Sequence, residues 1–513
     1  MKLSKISLAV GALCGAFAGQ ALALPLANYS TGTTTDMYIS GASAQDGGLL
    51  AMMRRVCASG TLDVYAGAGS AANQALYFCQ VNTAQVAGLV KPNIAVYKTS
   101  VGGSGMGVQP VSDAVPLPFF NVARMGAVCP ATGAAVAAVA PIAPDTLGLP
   151  AYTKRTCTTS GLVNAYPTQP AASTGLYDVV PDAGFSDVEP TLFGATPAQI
   201  ARMSPVSANA VIFGVPVTLG LRNALQAAQG LSVGGEDEVS MPSLTKTQIA
   251  ALYSGYVTTW DQFASVLGVT LPAPVDLNVY LARRVATSGS EKATEVYFLN
   301  QNCAANVAPM QVGNDTTSCG ATGVPGTVYE GSGGGNVAAC LNTHHAAGRW
   351  AVGLLSTEVV ANNASDGWRF IKVGGQAPTL LNVQDSRYDF WAEQSMQSRA
   401  VAYTNPTYGT VGGVLSGDKS TFWSALTLKI GEPAVVSAID SGFAHSWGHA
   451  GLMALGLNYA ANAPMDESTP AALVLAKAQV LSNPVTTTTR SPNGSPNNCN
   501  PPVLFSPTVV TKQ

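Results

Sequence analysis

The stretch "RRVATSGSEKATEVYFLNQ", residues 283–301, decides how this chain is read. It follows the strand-like run "VDLNVYLA" (275–282) and then changes period, with Ala293, Val296, Tyr297 and Phe298 at helical spacing. Ser288 and Glu291 stand at capping-box spacing, which predicts Ser288 as the N-cap of a helix. A helix start leaves backbone N–H groups unpaired at the positive end of the helix dipole. Gly289 and Ser290 are small enough to let an anion approach those amides, and Arg284 lies four positions before the cap. Only 10% of the residues are charged, so a guanidinium placed here is conspicuous. The local alternative is a plain helix cap, with Arg284 paired to a surface carboxylate.

Outward from that stretch, strand-like and helical runs alternate. "NIAVYKT" (93–99) and "AVIFGVPVTLGL" (210–221) read as strands. In "LTKTQIAALYSGYVTTWDQF" (244–263), Thr245 and Gln248 have capping-box spacing, and Ile249, Leu252 and Tyr253 share a helix face. Gly255 ends that helix, and Trp260 packs back on the next turn. Alternation of this kind predicts an α/β architecture with largely parallel pairing. Residues 125–180, rich in Ala, Pro, Thr and Gly, read as an elaborated loop region. The tail "TTTTRSPNGSPNNCNPP" (486–502) is turn-rich and forms no core by itself.

Lys2 and Lys5 precede an apolar run from Ile6 to Phe17, and Ala21-Leu22-Ala23 supplies small residues, so 1–23 reads as a secretory leader. No later run is long and apolar enough to predict a membrane span. Beyond the leader stand Cys57, Cys79, Cys129, Cys157, Cys303, Cys319, Cys340 and Cys499, an even count that predicts disulfides in an exported chain. Proximity in sequence suggests Cys57–Cys79 and Cys129–Cys157, and Cys499 stands where it can staple the tail. A net charge of −3 without a basic tract excludes a nucleic-acid partner.

"RRVATSGS" resembles the Arg-x-x-x-Ser-Gly-Thr motif of the phosphate-binding proteins that serve high-affinity phosphate ABC importers, and of the related secreted DING proteins. Other segments follow in the same order: "YISGASAQDGG" (38–48), "VGGSGMG" (101–107), "DAGFSDVEP" (182–190), the 244–263 helix and "GGGNVAACLNTHHAAGRWAVGLLS" (333–356). The resemblance runs from about 37 to about 375. It implies a two-lobed type II periplasmic-binding-protein fold with crossing hinge strands and an inserted loop region. The expected division is 1–23 leader, 24–213 first lobe with an insertion near 108–181, 214–371 second lobe, 372–485 first-lobe return, and 486–513 tail. The first crossing is expected within Val211–Leu221 and the return near "FIKVGG" (370–375).

The resemblance also implies a site. Arg284, Ser288, Gly289 and Ser290 would hold an oxyanion from one lobe, with Ser290 in place of the usual Thr. Asp187, Ser104 and Gln45 would meet it from the other, Asp187 accepting from a protonated phosphate oxygen. The implied partners are inorganic phosphate or a similar oxyanion and an ABC importer, in the periplasm or outside the cell, with no cofactor and no catalysis. The first-lobe half departs from the pattern. Gln45-Asp46 stand where the family has Thr-Phe, and Gly103 falls at the family's binding serine, leaving Ser104 as its substitute. Asp46 is expected to face solvent or pair with Arg54 or Arg55. These departures, the low charge and the extra cysteines support a second reading, an extracellular structural or self-associating protein on the same fold.

Other motifs argue for little. His445 and His449 in "HSWGH" have the spacing to share a metal on one helix face, but lack the glutamate of zinc proteases. The glycine-rich "GGSGMG" and "GSGGG" lack the Lys-Ser/Thr ending that holds nucleotide phosphates. No Gly-x-Ser-x-Gly elbow is present.

Overall fold

A computed structural model describes residues 24–68, 72–125, 129–141, 148–158, 176–267, 271–272, 274–315, 319–320, 327–456, 480–491 and 495–504. The expected leader, part of the expected insertion and the last residues of the tail lie outside them.

The structure is a two-lobed α/β fold in which two sheets share one strand. The strands that matter are β1 (Thr34–Gly41), β2 (Asp63–Ala68), β3 (Gln74–Gln80), β4 (Asn93–Thr99), β5 (Tyr152–Thr158), β6 (Ala183–Ser186) and β7 (Met203–Thr218). They continue with β8 (Tyr280–Arg284), β9 (Val328–Gly331), β10 (Ala351–Gly353), β11 (Trp368–Val373) and β12 (Trp391–Arg399). The first sheet runs β7-β12-β6-β1-β4-β3-β2-β5, and the second β9-β8-β10-β7 with β11 also paired to β7. At about 3.3 Å per residue, the 16 residues of β7 span roughly 50 Å, long enough for both sheets. Its first part pairs with β12, from Met203↔Arg399 to Ile212↔Trp391, and its end pairs with β11, from Val215↔Ile371 to Thr218↔Trp368. The crossing therefore lies within β7. Residues 370–375, where the sequence places the return, lie in and just after β11, and the chain regains the first sheet at β12.

Parallel pairing dominates where the site is built. β1 is parallel to β4 and β6, and β8 is parallel to β9 and β10. One face of the first sheet is covered by α1 (Asp46–Val56), whose Leu49, Met52, Met53 and Val56 recur at helical spacing against the sheet. The other face carries an aromatic layer in which Tyr38 stacks on Tyr97 at 4.5 Å. The second sheet is packed by α2 (Leu219–Ala228), α3 (Lys246–Tyr253), α4 (Gly289–Leu299) and α5 (Gly334–Ala346).

Local chemistry accounts for the element ends. Thr245 and Gln248 form the reciprocal capping box expected of them, and Gly255 at φ +72° ends the segment. Trp260 is buried edge-on to Trp350. β8 begins at Tyr280 rather than Val275, because Asp276 takes the Asn278 N–H and the Tyr280 hydroxyl and holds the preceding residues in a turn. The region read as loop contributes β5, parallel to β2, with Ala134–Val136 antiparallel to it at the sheet edge, and Leu176–Val179, which pairs antiparallel with Leu117–Phe120.

All eight cysteines beyond the leader are paired: Cys57–Cys79, Cys129–Cys157, Cys303–Cys499 and Cys319–Cys340. The first two match the proximity argument. The tail, which forms no core by itself, is packed into the body: Thr486, Thr489, Arg490, Ser491 and Asn498 are buried, and Cys499 staples it as its position allowed. No helix among the described residues is long and apolar enough to cross a membrane.

Candidate functional site

The second lobe supplies the end of β8 and the start of α4. Parallel strands β9 and β10 on either side bury β8, so both arginines at its end leave water. They are satisfied differently. Arg283 bonds Glu291 and, at 2.8 Å, Glu330. Arg284, 7% exposed, donates only to carbonyls: Nε to Gly331 O at 3.3 Å and Nη2 to Ser332 O at 2.9 Å. No carboxylate lies within ion-pair distance of it among the described residues. Burial lowers the Arg284 pKa from its ordinary value, with Asp187 and Glu291 opposing, and a guanidinium so placed stays charged.

Ser288 is the N-cap of α4, as the sequence predicts, but its side chain makes no capping bond. The expected capping box with Glu291 is not formed, because Glu291 is turned to Arg283. The first amides of α4 are thus left without the usual side-chain acceptor at the positive end of an 11-residue helix. Ser290 is buried, and its carbonyl accepts the Thr294 hydroxyl at 3.0 Å.

The first lobe supplies Ser104 and Asp187. Asp187 follows the end of β6, and Ser104 begins a short 3-10 turn after two glycines at positive φ. The Ser104 hydroxyl donates to Asp187 Oδ2 and accepts the Asp187 N–H, both at 3.1 Å. Gln394 on β12 donates to the other carboxylate oxygen at 3.0 Å. Burial raises the Asp187 pKa; Gln394, Arg284, Ser104 and Lys98 pull the other way.

The lobes touch here. A Cβ on Gly289 would stand 2.5 Å from both Asp187 Cβ and Ser104 Oγ, so only glycine allows this approach. Gly105 donates its N–H across the cleft to Thr287 O at 2.9 Å. Arg284 Nη2 would be 3.8 Å from a Cβ on Gly103. The structure therefore brings Ser104, Asp187, Arg284, Ser288 and Gly289 to one place. A fixed cation, free helix amides and a hydroxyl in that arrangement suit an oxyanion, and the carboxylate suits one that still carries a proton.

Gln45 is turned elsewhere. It is fully buried, donates to Asn209 Oδ1 at 3.1 Å, and its Oε1 has no partner among the described residues. Asp46 neither faces solvent alone nor pairs with Arg54 or Arg55. It bonds Lys98 at 3.0 Å and accepts the Ser100 hydroxyl. Arg54 is spent on the carbonyls of Pro150, Ala137 and Leu149, and Arg55 pairs with Glu432. The Asp46 charge is thereby matched by a buried lysine rather than presented to an anion.

Lys98 and Gln394 escaped the sequence reading. Lys98 had a signal, a lysine inside the buried strand "NIAVYKT"; Gln394 is joined to Asp187 only by the pairing of β12 with β6. The histidine pair of "HSWGH" lies on a two-stranded turn, not on a helix face. His445 bonds Thr357 O at 2.8 Å and stacks on Trp447. The one metal-like grouping among the described residues, Cys319, Cys340 and His344, is closed by a disulfide.

No protein-family profile matches the chain, and no curated protein is similar to it in sequence. Its structure is similar to that of a phosphate ABC transporter substrate-binding protein with bound phosphate from Clostridium perfringens, at 11% identity over 80% of this chain and 98% of that one, TM-score 0.40. It is also similar to PstS from Borrelia burgdorferi, at 10% identity over 80% and 97%, TM-score 0.34. A third is an ABC-type phosphate transport receptor from Vibrio cholerae, at 16% identity over 48% and 74%, TM-score 0.29. These are distant likenesses, and the ligands in those descriptions belong to those proteins.

Proposed function

We propose that the chain is an exported solute-binding protein that clamps a small oxyanion, phosphate foremost, between its lobes. The observation that carries this reading is Arg284: a buried guanidinium bonded only to carbonyls, beside an uncapped helix start and facing the opposite lobe. A buried cation with no carboxylate at ion-pair distance among the described residues is costly, and a ligand oxyanion supplies the missing close contact. Arg284, Ser288, Gly289 and Ser290 then hold the anion from the second lobe, and Ser104 and Asp187 from the first. Asp187, when ionised, offers only acceptors and so favours an oxyanion that carries a proton over one that has no hydrogen to offer. Four disulfides fit an exported protein, and an importer is the natural partner of such a receptor.

Calorimetry of phosphate-stripped protein with phosphate, arsenate and sulfate tests it. Saturable one-to-one binding of phosphate, weakened at least about tenfold in Arg284→Ala, is expected. An unchanged affinity in that variant removes the site assignment. A second reading, a retained fold with its pocket given up, is favoured by Gln45 facing Asn209 and by Gly289 resting directly on Asp187. No heat with any anion would support it.

A further inference from the structure

The C-terminal segment is buried where the two lobes join. The Glu393 carboxylate on β12 accepts the Thr489 hydroxyl and the Arg490 N–H, both at 2.7 Å, along with the Ser491 hydroxyl. It also accepts the Ser207 hydroxyl from β7 at 3.2 Å, so one side chain joins β12 and β7 to the tail. Asn498 reaches the loop after β6. Its N–H and its side-chain NH2 donate to the two oxygens of Glu189 at 2.9 and 2.7 Å, and its Oδ1 accepts the Glu393 N–H at 2.8 Å. The next residue, Cys499, is bonded to Cys303, just past the end of α4.

Adjacent residues therefore hold different lobes. Asn498 grips the first lobe through Glu189, two residues from Asp187. Cys499 grips the second through the helix whose other end carries Ser288 and Gly289. We infer that Asn498–Cys499 is an interlobe tether that holds the cleft at or near closure.

Opening the cleft moves α4 away from the Asp187 loop. The covalent side cannot lengthen, so the movement must pull Asn498 from a buried carboxylate or strain the tail against Glu393. Both oxygens of Glu189 take their hydrogen bonds from this one residue. The closed contacts are already made, with Gly105 N–H on Thr287 O and Gly289 against Asp187 and Ser104. A hinge clamp built this way opens little without ligand and exchanges ligand slowly.

Amide exchange at Gly105 reads the interlobe bond itself and needs no ligand, so its outcome is separate from the oxyanion reading. It is compared in the full-length oxidised protein, in the double variant C303S/C499S, and in N498D, which keeps the disulfide but sets a carboxylate against Glu189. Exchange at Gly105 is expected to quicken at least about tenfold in both variants, with Val96 in the middle of β4 unchanged. Equal Gly105 rates in all three proteins overturn the tether. So does parallel acceleration of Gly105 and Val96, which means loss of global stability, and so does failure of both variants to fold, which makes the segment simply core.

Discussion

Arg284 and its neighbour Arg283 are chemically identical and occupy successive positions on one buried strand, yet only one is left without a carboxylate. That difference is the basis for two predictions at the scale of single side chains. Gly289→Ala places a methyl carbon 2.5 Å from Asp187 and Ser104, a clash of about 1–3 kcal/mol. Because the Asn498–Cys499 segment resists lobe opening, the clash should lower the melting temperature of the unliganded protein as well as weaken ligand affinity at least about tenfold by calorimetry. Asp187→Asn concerns pH. Burial raises the Asp187 pKa, so the folded state binds the proton more tightly than the unfolded chain. That contribution favours folding below the ordinary carboxylate pKa of about 4 and is lost as pH rises through the folded value. Asp187→Asn should hence melt at or above the native protein at pH 7, the advantage shrinking toward pH 4. A deficit of constant size across scanning calorimetry from pH 4 to 8 would contradict it. Arg284 and Ser288 stood out in the sequence by residue type and spacing, and Asp187 through the resemblance alone; the structure brings the three together, and their ligand role is the proposal above. Gln45 was misplaced because its rotamer is decided by Asn209, a residue far away in the chain.

Two helix starts of the same sequence type behave differently. Thr245 caps α3 with a hydrogen bond to the Gln248 N–H at 3.2 Å, whereas Ser288 stands at the same position of α4 without one. Thr245→Ala should cost about 1 kcal/mol of stability in urea unfolding. Ser288→Ala should cost less than about 0.5 kcal/mol while weakening anion binding. Equal losses of stability would show that Ser288 is an ordinary cap. The spacing predicted both caps correctly by position. It missed that Glu291 is taken by Arg283, since that pairing depends on how β8 lies against α4.

At the scale of the molecule the tail changes the account of what holds the lobes together. Truncation before residue 480 would strip buried Glu189 of its Asn498 bonds and leave buried Glu393 with only the Ser207 hydroxyl, at about 1–3 kcal/mol for each group so exposed, and would free Cys303. The expected outcome is loss of the folded monomer on a sizing column and of the near-ultraviolet circular dichroism. A folded, soluble truncation would show that the body is complete at β12 and the helices after it. Composition read the tail as coreless because it considers the segment alone; its burial is supplied by carboxylates on β12 and after β6.

The sequence by itself determined the alternating elements and the helix starts at Thr245 and Ser288, which depend on neighbours within a few positions along the chain. Cysteine spacing suggested Cys57–Cys79 and Cys129–Cys157, which the structure forms, and residue type marked 284–290 as the stretch on which the anion proposal rests. Only the tertiary structure decided that Asp46 is neutralised by Lys98, that Gln45 turns to Asn209, that Gln394 holds Asp187, and that the tail joins the lobes. Those contacts join segments distant in sequence, and burial, not local propensity, sets their free energy.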